Sequence, residues 1–266
     1  MAITGTGTQA DPYVVTTWDE LVTAVYSYES YVKLGADIDM NDEHPEGVTT
    51  VCELRCTELD GDGHRIKNLS AVNLVYIFVI NYSGVTIKNC DFLNFRIEAN
   101  ISNPGVGYFA YGENKSINFY MCKFSGRMAG VGYPVYISRG TASFERCSLN
   151  LETEGLFSVI PTGNNAIIFK YTNAKFTGAF SGYLYLTLKN AYLSGSLTDG
   201  TSLWLEAGCV DSVIDMECPS VSGYSSEHCL ANSDKVSGSI SGATPVTTAQ
   251  ITDAAYLDSI GFPIQT

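Results

Sequence analysis

The chain has 266 residues, 45% of them hydrophobic and only 16% charged, with a formal net charge of −13 from 28 acidic and 15 basic residues. That length and apolar content suit one large domain with a sizeable core. The acidic balance and the lack of any Lys/Arg cluster exclude nucleic acid as a partner, because phosphate binding is dominated by such clusters, and no apolar run approaches the roughly 20 residues of a membrane helix.

At the start of the chain, Met1-Ala-Ile-Thr-Gly-Thr-Gly-Thr8 has neither the basic stretch nor the apolar core of a secretory signal, so a chain made in the cytoplasm is expected. Thr17-Trp-Asp-Glu20 has the form of a capping box and predicts a short amphipathic helix through Leu21-Val-Thr-Ala-Val25. Of the eight cysteines, Cys52 and Cys56 form the one close pair, while Cys90, Cys122, Cys147, Cys209, Cys218 and Cys229 stand alone. A structural zinc site needs two close pairs. The cysteines are therefore expected to be reduced, buried and small, with no metal and no cofactor.

Leu59-Asp-Gly-Asp-Gly-His-Arg-Ile66 gathers two carboxylates, an imidazole and a cation around two glycines. A calcium loop through Asp60 and Asp62 and a catalytic fragment at Gly63-His64 both compete with a turn. Glycine supplies the positive φ a turn demands, which leaves Leu59 and Ile66 pointing inward and the charges in water. The end of this stretch recurs: Ile66-Lys-Asn-Leu69, Ile87-Lys-Asn-Cys90, Tyr171-Thr-Asn-Ala174 and Leu188-Lys-Asn-Ala191, with Phe119-Tyr-Met-Cys122 and Phe144-Glu-Arg-Cys147 as copies lacking the asparagine.

Before each copy apolar residues alternate with period two, the mark of a strand with one buried face, and afterwards they alternate again shifted by one residue. The chain must bend between the two. Asn is the non-glycine residue that best tolerates the left-handed backbone such a corner needs, so Asn68, Asn89, Asn173 and Asn190 are expected at strand corners. The small residues just past them fall at 69, 90, 122, 147, 174 and 191, most intervals matching one coil of a stacked β-solenoid. Tyr183 and Tyr185 alternate with inward leucines and are the expected binding residues, outward aromatics that a sugar or another protein would cover. Asp215 and Glu217 are two apart on a strand and share a face, the spacing of a possible carboxylate pair, with solvated carboxylates as the simpler reading. Thr247 to Ile260 reads as a short closing helix.

These corners, together with the Leu59–Ile66 turn, resemble the right-handed parallel β-helix proteins of the pectate-lyase-like architecture. Gly5 to Tyr13, the helix after it and Val32 to Ile38 resemble the N-terminal cap of β-helices from tailed-phage virions and bacterial surface proteins. The resemblance implies an all-β, right-handed parallel β-helix with a short N-terminal capping helix: an N-terminal strand and cap over 1–30, the β-helix over 31–243 and a closing segment over 244–266. It further implies a non-enzymatic virion protein, a capsid decoration, head fibre or tail-spike component. The expected partners are other virion proteins, host-surface glycans and further copies of itself. A polysaccharide depolymerase and a bacterial surface adhesin or carbohydrate-binding module are the alternatives. Polygalacturonase-type acidic motifs are absent, so no catalytic residue is carried over.

Overall fold

The computed structural model describes residues 3–44, 46–47, 52–72, 76–82, 84–98, 107–129, 132–138, 140–154, 166–179, 183–198, 202–223 and 228–262. Within them the chain winds as a parallel β-helix. Sheet A holds ten strands, from Tyr13–Val15 to Val221–Gly223; sheet B holds eleven, including Arg65–Lys67, Asp91–Glu98 and Thr244–Val246; sheet C holds four, Cys52–Leu54, Tyr76–Ile80, Gly107–Glu113 and Gly132–Ser138. Every pairing between these strands is parallel, each strand bonding its equivalent one coil away.

Period-two alternation sorts each strand into an inner and an outer row, and stacking turns the inner rows into continuous columns. In sheet A, Leu59, Ile87, Phe119, Phe144, Phe169 and Leu188 lie in one register. In sheet B the column runs Ile66, Phe92, Phe124, Leu149, Ala174, Leu193, Ile214. All are buried. Phe119 stacks on Phe144 at 4.9 Å and Phe92 on Phe124 at 5.3 Å, while Phe119 meets Phe124 edge-on at 5.1 Å, joining the two columns across the interior.

Helix α1 (Trp18–Val25) buries Trp18, Leu21, Ala24 and Val25 over the first coil, with the Trp18 ring edge-on to Phe78 at 6.1 Å. Thr17 caps it by accepting the Glu20 N–H. Glu20 does not return the bond to Thr17; its carboxylate accepts the Thr16 N–H at 2.8 Å. A second carboxylate, on Glu43 of helix α2 (Met40–Glu43), accepts the Trp18 N–H at 2.6 Å. At the far end, helices α3 (Thr248–Thr252) and α4 (Ala254–Ser259) follow a complete Thr247/Gln250 capping box, and Phe262 packs with Val213, Leu230 and Val246. Sheet pairing starts at Tyr13 and ends at Val246, so the first rung lies within 1–30 and the last within 244–266.

Two expectations change here. Cys209 and Cys229 are joined in a disulfide with Cα atoms 5.5 Å apart. Sheet A's bulged strand Ser202–Val210 brings Cys209 beside the start of Cys229–Asn232 in sheet B, a proximity that two isolated cysteines do not disclose in sequence. The other six cysteines are free and buried. Asn173 is not a corner: it opens the strand Asn173–Ala179 on the exposed side, and the left-handed residue of that coil is Tyr171.

Candidate functional site: the corner between sheets A and B

From Asn89 to Ser212 each coil passes from sheet A to sheet B through one residue in the left-handed region followed by one small buried residue, whereas in the coil before them the buried Gly61 precedes the left-handed Asp62. The left-handed positions are Asn89 (φ 49°), Met121 (53°), Arg146 (55°), Tyr171 (50°), Asn190 (50°) and Asp211 (47°). Their amides form a ladder along the axis. Asn89 donates to the Tyr120 carbonyl, Met121 to Glu145, Arg146 to Lys170, Tyr171 to Lys189 and Asn190 to Val210, at 2.9–3.0 Å. Asn68 is also left-handed (φ 59°), but it sits inside sheet B, with Asn94 (φ 55°) as its counterpart one coil on. The recurring Lys-Asn pair therefore marks two different bends.

The small residues inside the corner are Gly61, Cys90, Cys122, Cys147, Thr172, Ala191 and Ser212. They are more than filler. The Cys122 thiol lies 3.5 Å from the Ile87 carbonyl, Cys147 3.3 Å from that of Phe119, and the Thr172 hydroxyl donates to Phe144 at 2.7 Å, each reaching back to the previous coil. Ser212 accepts the Ala191 N–H at 3.0 Å. Thr172 thus does the work of a cysteine, which is why the true corner in that coil lies two residues before the Asn-Ala pair.

On the outside, the same corners line a groove of about 610 Å³ running across several coils. Met121 and Tyr171 are each 49% exposed, and Arg146 is exposed between them. Arg65 and Lys123 contribute two more cations, with Asp91 3.5 Å from the Lys123 ammonium. The Lys170 ammonium stands 5.7 Å from the Tyr171 ring centre and 3.1 Å from Glu145.

The glycine-rich stretch forms a turn. Asp62 (φ 51°) and Gly63 (φ 83°) take the left-handed geometry, and Asp60 accepts the Asp62 N–H at 2.9 Å. Both carboxylates face cations, Asp62 with Lys33 at 2.8 Å and Asp60 with Lys88 at 3.3 Å. Burial raises the Asp60 pKa, but the Asp62 amide, Asn89 and Lys88 outweigh it and hold the carboxyl below its ordinary value. His64 lies 3.4 Å from Asp37.

Asp215 and Glu217 do share an outward face, but only Asp215 is engaged. It accepts from Tyr192 at 2.7 Å and Asn232 at 2.6 Å and pairs with Lys235 at 2.8 Å. Burial raises its pKa, and these three partners reverse that and leave it lowered. Asn232 continues to Thr248 of α3 at 2.9 Å, so Asp215 fastens the closing segment to the last coils. Glu217 is exposed, as is Glu152, whereas the Glu154 side chain is outside the described part. His44 lies 3.2 Å from Asp19 and His228 3.0 Å from Asp211. The backbones of Tyr183 and Tyr185 pair with Ser202 and Trp204; their side chains lie outside the described residues.

No family model matches this chain, and no curated protein matches it. Among solved structures it is similar to a candidate immunoglobulin A1 protease from Bacteroides ovatus, at 13% identity and a TM-score of 0.38, over 93% of this chain and 87% of that one. The assignment of fold rests on the strand registers above.

Proposed function

We propose that this chain is a structural component of a tailed-phage particle, a capsid decoration, head fibre or tail-spike element, which serves as a rigid β-helical rod for assembly or host attachment. The observation that carries this reading is a solenoid whose first coil is covered by helix α1 and whose side carries an exposed Met-Arg-Tyr stripe, which is left to make contacts. The resemblance of the N-terminal cap to virion β-helices supplies the particle. Immunogold labelling of purified particles with antiserum to this chain tests it. Gold on the particle surface is the expected result. Unlabelled particles, or release of reducing sugar from host capsule by the purified chain, would replace the reading with a cellular or depolymerase role.

A further inference from the structure

The corner ladder contains a local contradiction. Asn89 and Asn190 hold a left-handed backbone that asparagine tolerates, yet the three consecutive coils between them place Met121, Arg146 and Tyr171 in the same backbone, where those side chains gain nothing locally. All three project outward, and all three line one groove. Strained positions that cluster and are exposed point to function. Met, Arg and Tyr are residue types enriched at protein–protein contacts, and Tyr and Arg are frequent binding hot spots.

The charge of the groove narrows the occupant. Arg65, Lys123 and Arg146 face it against the carboxylate of Asp91, making a positive stripe on a chain of net charge −13. Outside the stripe, the molecule is therefore more acidic still. We propose that copies of this chain associate side by side, the Met121–Arg146–Tyr171 stripe of one receiving the acidic lateral surface of the next; this builds on the reading of the chain as an assembled rod. A two-fold contact centred on the stripe would set each Arg146 against its own counterpart. A heterologous contact, stripe to a different face, avoids that repulsion and gives a ring when its rotation closes.

Sedimentation velocity on the whole chain over a range of concentrations and salt tests this separately from the particle labelling. The wild-type chain is expected to form a discrete oligomer that dissociates as salt screens the contact. Arg146→Asn/Tyr171→Asn should weaken association at least about tenfold, the loss of one interface hot spot, with an unchanged or higher Tm because asparagine suits the backbone. Lys123→Glu, on an exposed strand position, should weaken it without touching the corner. A wild-type chain that stays monomeric, or an oligomer indifferent to these variants, overturns the proposal. So does saturable, Arg146-dependent binding of 3′-sialyllactose to a monomer, which would make an acidic saccharide the occupant.

Discussion

A left-handed backbone disfavours β-branched side chains most, so Asn190→Val should destabilise the fold by about 1–2 kcal/mol. Substituting Asn for Met121 or Tyr171 should run the other way, gaining up to about 1 kcal/mol. Urea midpoints of the three variants check both signs. Gly61 is fixed by space instead: a Cβ there would come within 2.3 Å of the Asn89 carbonyl oxygen and 2.5 Å of the Cys90 Cα, so Gly61→Ala should cost about 1–3 kcal/mol as overpacking. At this scale the sequence discloses what propensity discloses. Asn89 and Asn190 stand out because asparagine favours the conformation they adopt. Met121, Arg146 and Tyr171 do not, since nothing local selects them, and only the stacking of coils places them at the corner. Asn173 is the converse case, a residue with the right propensity displaced from the corner because the Thr172 hydroxyl can fill the cysteine's place.

Among the elements, the closing coils carry the strongest cross-links. The Cys209–Cys229 disulfide closes a 20-residue separation, and its reduction should lower stability by about 3 kcal/mol, measured as a fall in Tm with a phosphine reductant. Cys56 and Cys218 should stay unreactive toward thiol reagents until the chain unfolds, since burial pushes them up to about 12 and about 11.

Asp215 is the second cross-link. Its folded pKa lies below the unfolded one, so its contribution is complete above about pH 4 and is lost as pH falls through the folded value. Asp215→Asn should cost about 1–3 kcal/mol at neutral pH and flatten the loss of stability in acid, while Glu217→Gln changes neither. Unfolding free energy measured against pH decides it. The network was not legible beforehand: Asp215 and Glu217 look alike on one face of a strand, and what separates them is Asn232 and Lys235 arriving from the next coil.

For the whole molecule, two sequence signals were enough to expose the architecture: period-two alternation and a bend that recurs about once per coil. Both are local, and a solenoid repeats local geometry, so the global fold follows from them. The path of sheet C was less legible because its strands follow no fixed corner motif. Function is further removed, since one β-helix hosts many roles and the working surface is set by which side chains occupy outward positions. The outward surface is proposed to assemble the chain into a particle. Quantitative mass spectrometry of purified particles, from phage encoding either the wild-type chain or Arg146→Asn/Tyr171→Asn, tests it most directly. A fixed copy number of the wild-type chain per particle and marked depletion of the folded variant are the expected result. Particles that lack the wild-type chain, or that carry the variant at the wild-type level, would contradict it.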